Sequence, residues 1–171
     1  MSSAADAFVG PLVLLARARV EFVVVGVCGI NFYARDASEV VVTGDVDVLL
    51  RPSSAALGAA LRALSAAGFR FEAGHEPFQD VDDERVLARV CELGASIGGG
   101  DAEGVRVDLM TSMSGFGFAE LAADAVAFRI QEVEVRVGRL EKLLRSKELS
   151  GRRKDVEFLR MFAARLEDDG A

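Results

Sequence analysis

Histidine is almost missing from this 171-residue sequence: His75 is the only one. Cysteine is scarce too, at Cys28 and Cys91, with no CxxC pair. One imidazole and two isolated thiols argue against a structural zinc site and against a Ser-His-Asp triad. They suit a reducing cytoplasm, with each thiol a small buried hydrophobe rather than a nucleophile. No apolar run approaches the ~18 residues that a bilayer span requires, so no membrane attachment is expected. The N-terminal stretch lacks a basic region followed by an apolar core and a cleavage site, so no secretory signal is expected. Basic charge is in deficit, with 20 Lys and Arg against 27 Asp and Glu and a net charge of −7. That balance argues against wholesale nucleic-acid binding.

What is present points to a folded chain. About half the residues (51%) are hydrophobic, which sets the sequence apart from disordered ones. Its length suits a single domain over 1–171, with a core at about 20–137 and closing helices at about 138–168. The charge is unevenly spread. Arg129 to Arg165 holds 11 basic and 6 acidic residues, a net of +5, leaving −12 on the rest. A basic end on an acidic body can hold phosphates locally, although a solvated helix surface is the commoner outcome of such a run.

The chain is organised around Val41 to Leu50, Val-Val-Thr-Gly-Asp-Val-Asp-Val-Leu-Leu. Its β-branched and apolar content predicts a strand. Side chains alternate across a strand, so Asp45 and Asp47 project from one face, about 7 Å apart. Two like charges at 4 Å and an effective dielectric near 20 repel by roughly 4 kcal/mol, and a divalent cation would relieve such crowding. A solvated strand end would tolerate the pair as well. Val105 to Met110 is a second strand by alternation, with Asp108 on the face of Arg106 and Met110. An aspartate inside a strand is disfavoured and needs a partner if buried. Should the two strands be neighbours, Asp108 joins Asp45 and Asp47 in a cluster suited to one or two Mg²⁺ ions holding nucleotide phosphates.

The remaining segments read as follows. Residues 4–18 form a helix by spacing, and Pro11 can mark its true first turn. Val20 to Val27 is a strand buried on both faces, then a Gly26–Gly29 turn, then a short helix over Ile30 to Tyr33. Such a strand–glycine–helix junction can direct backbone N–H groups at a phosphate, but is equally an ordinary turn. Asp36 to Glu39 is a loop. Ser53 caps a helix through about Ala67, ended by Gly68. Phe69 to Ala73 is a short strand, Gly74 to Glu84 a polar loop, and Arg85 to Leu93 either strand or helix. Gly98-Gly99-Gly100, with Asp101 and Gly104, marks a mobile turn. Phe116 to Ala125 is a helix, and Val126 to Ile130 and Glu132 to Val137 are paired strands. Two helices finish the chain. Lys147 continues the stripe of Leu140, Leu143 and Leu144, and Asp155 shares a face with Leu159, Phe162 and Leu166, so both charges point inward. They can pair with each other there, or serve a site.

These blocks together resemble a minimal nucleotidyltransferase of the DNA polymerase β superfamily, most closely the branch of AbiEii-type and MenT-type toxins. The resemblance runs from about Val20 to Phe162. It rests on Val25-Gly26-Val27-Cys28-Gly29-Ile30-Asn31-Phe32-Tyr33, on Thr43-Gly44-Asp45-Val46-Asp47, on Val107-Asp108-Leu109, and on Ser146-Lys147-Glu148-Leu149-Ser150-Gly151-Arg152-Arg153-Lys154-Asp155. It implies an α+β (mixed α/β) nucleotidyltransferase fold, a mixed twisted sheet flanked by helices with a C-terminal helical pair. It implies transfer of a nucleoside monophosphate from an NTP to an acceptor hydroxyl on tRNA, protein or a small molecule, and a cognate antitoxin as a partner. Asp45, Asp47 and Asp108 would hold two Mg²⁺ ions, and Asp108 would help deprotonate the acceptor. Lys147 would neutralise phosphate charge, and Asp155 would orient Lys147 or the nucleotide. Gly26, Val27, Thr43, Lys147 and Arg152 would bind the nucleotide.

Two departures stand out. Val27 replaces the family's second glycine or serine, and a valine restricts the backbone where the phosphates approach. The spacing from Gly26 to Asp45 is several residues longer than usual, implying an expanded loop around Arg35 to Glu39. Both favour altered substrate choice or lost catalysis; the retained carboxylates, Lys147 and Asp155 argue against full decay. A non-catalytic nucleotide- or partner-binding module, and an antibiotic-modifying nucleotidyltransferase, are the rival readings on the same fold.

Overall fold

The computed structural model describes residues 9–169. Among the described residues, seven α-helices accompany eight strands that form one mixed sheet: α1 (Gly10–Arg17), β1 (Phe22–Val25), α2 (Gly26–Asn31), β2 (Asp45–Leu50), α3 (Ser54–Ala66), β3 (Arg70–Ala73), β4 (Glu76–Phe78), α4 (Glu84–Glu92), β5 (Ser96–Gly100), β6 (Arg106–Met110), α5 (Phe118–Ala123), β7 (Val126–Ile130), β8 (Val133–Val137), α6 (Leu140–Ser150) and α7 (Arg153–Asp169). The strand order is β4-β3-β5-β6-β2-β1-β8-β7. β2 runs parallel to β6 and antiparallel to β1, and β1 meets β8 in parallel. The mixed α/β architecture expected from the sequence is thus present. Among the described residues, no helix is long and apolar enough to cross a membrane.

The central strands explain themselves by composition. Phe22, Val23, Val24 and Val25 are all buried, as a strand covered on both faces should be. In β2, β5 and β6 one face carries Val46, Val48, Ile97, Val107 and Leu109, none more than 1% exposed, and these feed the main core with Leu57, Leu61 and Leu64 of α3. Ser53 caps α3 by accepting from the Ala56 amide at 3.1 Å. Pro11 does sit in the first turn of α1; the proposed extension of that helix over residues 4–8 lies outside the described residues. At the other end, Leu143 is buried, while the Leu166 side chain lies outside the described ones.

Several segments depart from expectation. β2 starts at Asp45, not Val41, because residues 41–44 pair with no strand among the described residues; Val42 is 96% exposed. Val41 is instead clasped by Asn31, whose Nδ2 donates to the Val41 carbonyl and whose Oδ1 accepts from the Val41 amide, each at 2.9 Å. No turn separates β1 from its helix. Gly26 takes φ +68° and the helix begins there, enclosing Val27 and Gly29. The loop at Ala37–Glu39 forms a 3₁₀ turn capped by Asp36. The polar 74–84 segment contains β4, paired to β3, and 85–93 resolves as helix, capped by Asp83. The glycine triplet is no mobile turn: it lies in β5, hydrogen-bonded between β3 and β6. Phe71 covers Gly99, where a Cβ would lie 2.7 Å from its ring.

Candidate active site

One wall of the site is the polar face of the sheet. The parallel register of β2 and β6 sets Asp47 opposite Asp108 and Asp45 opposite Arg106. The neighbourhood left conditional by the sequence is therefore met, and all three carboxylates stand on one face of adjacent strands. Gly26 makes this possible: a Cβ there would lie 2.2 Å from Asp47 Oδ2, and its φ of +68° is a conformation that L side chains rarely adopt.

The facing wall is the junction of α6 and α7. Lys147 Nζ lies 3.1 Å from Asp155 Oδ1 and 4.9 Å from the centre of the Phe158 ring. Asp155 Oδ2 accepts from Ser150 Oγ at 2.5 Å and from Arg152 Nε at 2.9 Å. Gly151, at φ +62°, closes α6 and lets the chain turn directly into α7. The side chains of Lys147 and Asp155 are only 11% and 3% exposed, so the inward aim read from their spacing holds, and they pair. Burial by itself would raise the Asp155 carboxyl, but Ser150, Lys147 and Arg152 hold it below the usual range.

Between the walls lies a cleft of about 810 Å³. It is lined by every residue singled out from the sequence: Gly26, Val27, Thr43, Asp45, Asp47, Asp108, Lys147, Arg152 and Asp155. Val27 is half-buried at the cleft wall, one residue into the helix. Thr43 contributes two long contacts to Asp45: its Oγ1 donates to the Asp45 carbonyl at 3.4 Å and accepts from the Asp45 amide at 3.5 Å.

Sequence reasoning missed Lys154, which also lines the cleft and whose charge acts on both Asp47 and Asp108. Its signal was available, since it stands inside the Gly-Arg-Arg-Lys-Asp block. Ser112, Met113, Ser114 and Met161 also line the cleft, without a motif to announce them. Cys28 is a buried hydrophobe, its thiol pushed up to about 12 by burial and the nearby Asp47 charge.

The electrostatics are unbalanced on the acidic wall. Burial, with the charges of Asp108 and Asp45, pushes the Asp47 carboxyl from 3.8 up to about 7. Asp108 is raised as well, by burial and then by Asp45. Crowded carboxylate oxygens are the donor type that a hard divalent cation takes, and Asp45, Asp47 and Asp108 are the residues of this wall that could offer them. Asp45, however, is turned onto Arg106, with 3.6 Å between Oδ1 and Nε. Among the described residues no three acidic, histidine or cysteine side chains converge tightly enough to hold an ion as they stand.

Comparison with known proteins gives a family for the chain. A family model described as "Nucleotidyl transferase of unknown function (DUF2204)" matches residues 11–170, nearly the whole chain. No curated protein matches the chain. The match supports a nucleotidyltransferase family and does not single out the AbiEii and MenT branch.

Proposed function

The chain belongs to this nucleotidyltransferase family, and from that premise we propose that it transfers a nucleoside monophosphate from an NTP to an acceptor hydroxyl, releasing pyrophosphate. The observation that carries the proposal is the pairing of Asp47 with Asp108, beside Asp45, across one cleft from Lys147. Asp45, Asp47 and Asp108 would hold Mg²⁺, which when bound neutralises triphosphate charge and polarises the reacting phosphorus.

The protein's own groups do the rest. Lys147, Arg152 and Lys154 offer positive charge to the phosphates from the facing wall. Asp155 is a positioning residue: it holds Lys147 and Arg152 at fixed places and does not itself reach the substrate. Asp108 would take the proton as the acceptor oxygen bonds to the α-phosphorus. The bond from the α-phosphorus to the β-phosphate oxygen breaks, and pyrophosphate leaves. Gly26 and Val27 border the phosphates, and the valine narrows the choice of nucleotide there.

The proposed acceptor is an RNA hydroxyl in a toxin-like reaction. The net charge of +5 over Arg129 to Arg165, which includes the cationic wall, supports an anionic partner. Incubation with Mg²⁺ and each α-labelled NTP, with total tRNA, with cell protein, or with aminoglycosides and lincosamides, tests it. Label on RNA supports the proposal. Label on protein or antibiotic moves the acceptor, and nucleotide binding without any transfer overturns the enzymatic reading.

A further inference from the structure

Arg106 stands on the same sheet face as the carboxylates, yet the mechanism above leaves it without a task. Its guanidinium lies across β5 on a floor of glycine. Cβ atoms at Gly98 and Gly100 would each fall 3.4 Å from its terminal nitrogens. Beyond that floor it reaches Glu72 of β3 at 2.5 Å, while its Nε stays 3.6 Å from Asp45. The register rows explain the reach. Glu72 pairs with Gly98, Gly98 with Asp108 and Asp108 with Asp47, so the glycine strand leaves a bare lane between Glu72 and the acidic wall. A methyl group at either glycine would still only touch the guanidinium, and longer side chains there would crowd it. Gly98 and Gly100 thus leave room for one arginine to bridge two carboxylates from different strands, while Gly99 faces Phe71.

We propose that Arg106, tethered by Glu72, is a positioning residue that holds Asp45 away from Asp47 and Asp108 until a divalent cation draws it back. The inference rests on the metal-binding reading of the three carboxylates. Arg106 competes with the cation for Asp45 directly, and its own charge opposes cation entry. Glu72 limits that competition by sharing the guanidinium. All three side chains are roughly half exposed, so the contacts are weak enough for a cation to reverse. Asp45 is thus the adjustable ligand, while Asp47 and Asp108 are fixed by burial and register.

The test is calorimetric titration of the full-length protein with Mn²⁺ alone, without nucleotide. Wild type binds, and Asp47→Asn abolishes binding, if the metal reading is right. Arg106→Gln should then bind roughly two- to fivefold tighter, the range that loss of an exposed ion pair allows. Glu72→Gln should bind more weakly, and should change little once Arg106→Gln is also present, because Glu72 acts through the arginine. Unchanged or weakened binding in Arg106→Gln, with wild type binding and Asp47→Asn not, overturns the role of Arg106 alone. No binding by wild type overturns the metal reading together with it.

Discussion

Gly26 is pressed against Asp47: a methyl group on its Cα would sit 2.2 Å from the Asp47 Oδ2 atom. The glycine therefore serves both the direct passage from β1 into α2 and the placement of the strongly perturbed Asp47 carboxylate. Gly26→Ala should destabilise the protein by about 1–3 kcal/mol, through strain at φ +68° and through the collision. Adding Asp47→Ala should restore the collision part and leave the backbone part. Urea unfolding of the four combinations measures the coupling; strictly additive effects would mean that the two residues do not meet.

Asp47 also sets the pH response. Its folded proton affinity is raised, from 3.8 to about 7, so the folded state binds more protons than the unfolded state in that window. Stability of the metal-free protein should therefore fall as pH rises from about 4 to about 7, by a few kcal/mol at most. Asp47→Asn should flatten this limb, and so should saturating Mg²⁺. Thermal unfolding at stepped pH, with and without chelator, provides the readout.

Asp155 works in the opposite sense. Its carboxyl is lowered, so its contribution is present above the ordinary aspartate range and is lost as pH falls through its folded value. Asp155→Ala leaves Lys147 buried without its counter-charge and should cost about 3–5 kcal/mol. Lys147→Met in the same protein should recover part of that loss. Transfer should nevertheless stay low in the double variant, which separates structural repair from phosphate binding.

The Asn31 clasp on Val41 anchors the approach to Asp45. Asn31→Ala removes two hydrogen bonds and should cost about 1–2 kcal/mol. The telling measurement is hydrogen exchange: the Val41 amide should lose protection while β1 and β6 keep theirs. Equal protection at Val41 in both proteins would show that another contact secures the segment.

Period and spacing made the site legible before the fold was known. Alternation put Asp45 with Asp47 and Asp108 with Arg106, and helical spacing turned Lys147 and Asp155 inward, since these rest on local geometry. What alternation could not supply was adjacency, because nothing in either strand states that β2 pairs with β6. Val41 to Gly44 has β-branched residues but no strand to bond, so composition overstated the strand by four positions. Gly98 to Gly100 failed in the other direction. Glycine is read as a breaker, yet here Phe71 and Arg106 occupy the space its missing side chains leave, and that information lies in β3 and β6. The short β4 was hidden for a similar reason, being held by β3 rather than by its own sequence.

The most direct measurement is pyrophosphate release coupled to label transfer from an α-labelled NTP, with Mg²⁺ and total tRNA, in wild type, Asp47→Asn and Asp108→Asn. Wild type should transfer label, and each substitution should abolish transfer while melting at the same or a higher temperature, as acid crowding is relieved. Transfer at the wild-type rate by either folded variant would contradict the placement of the chemistry on the Asp47–Asp108 pair.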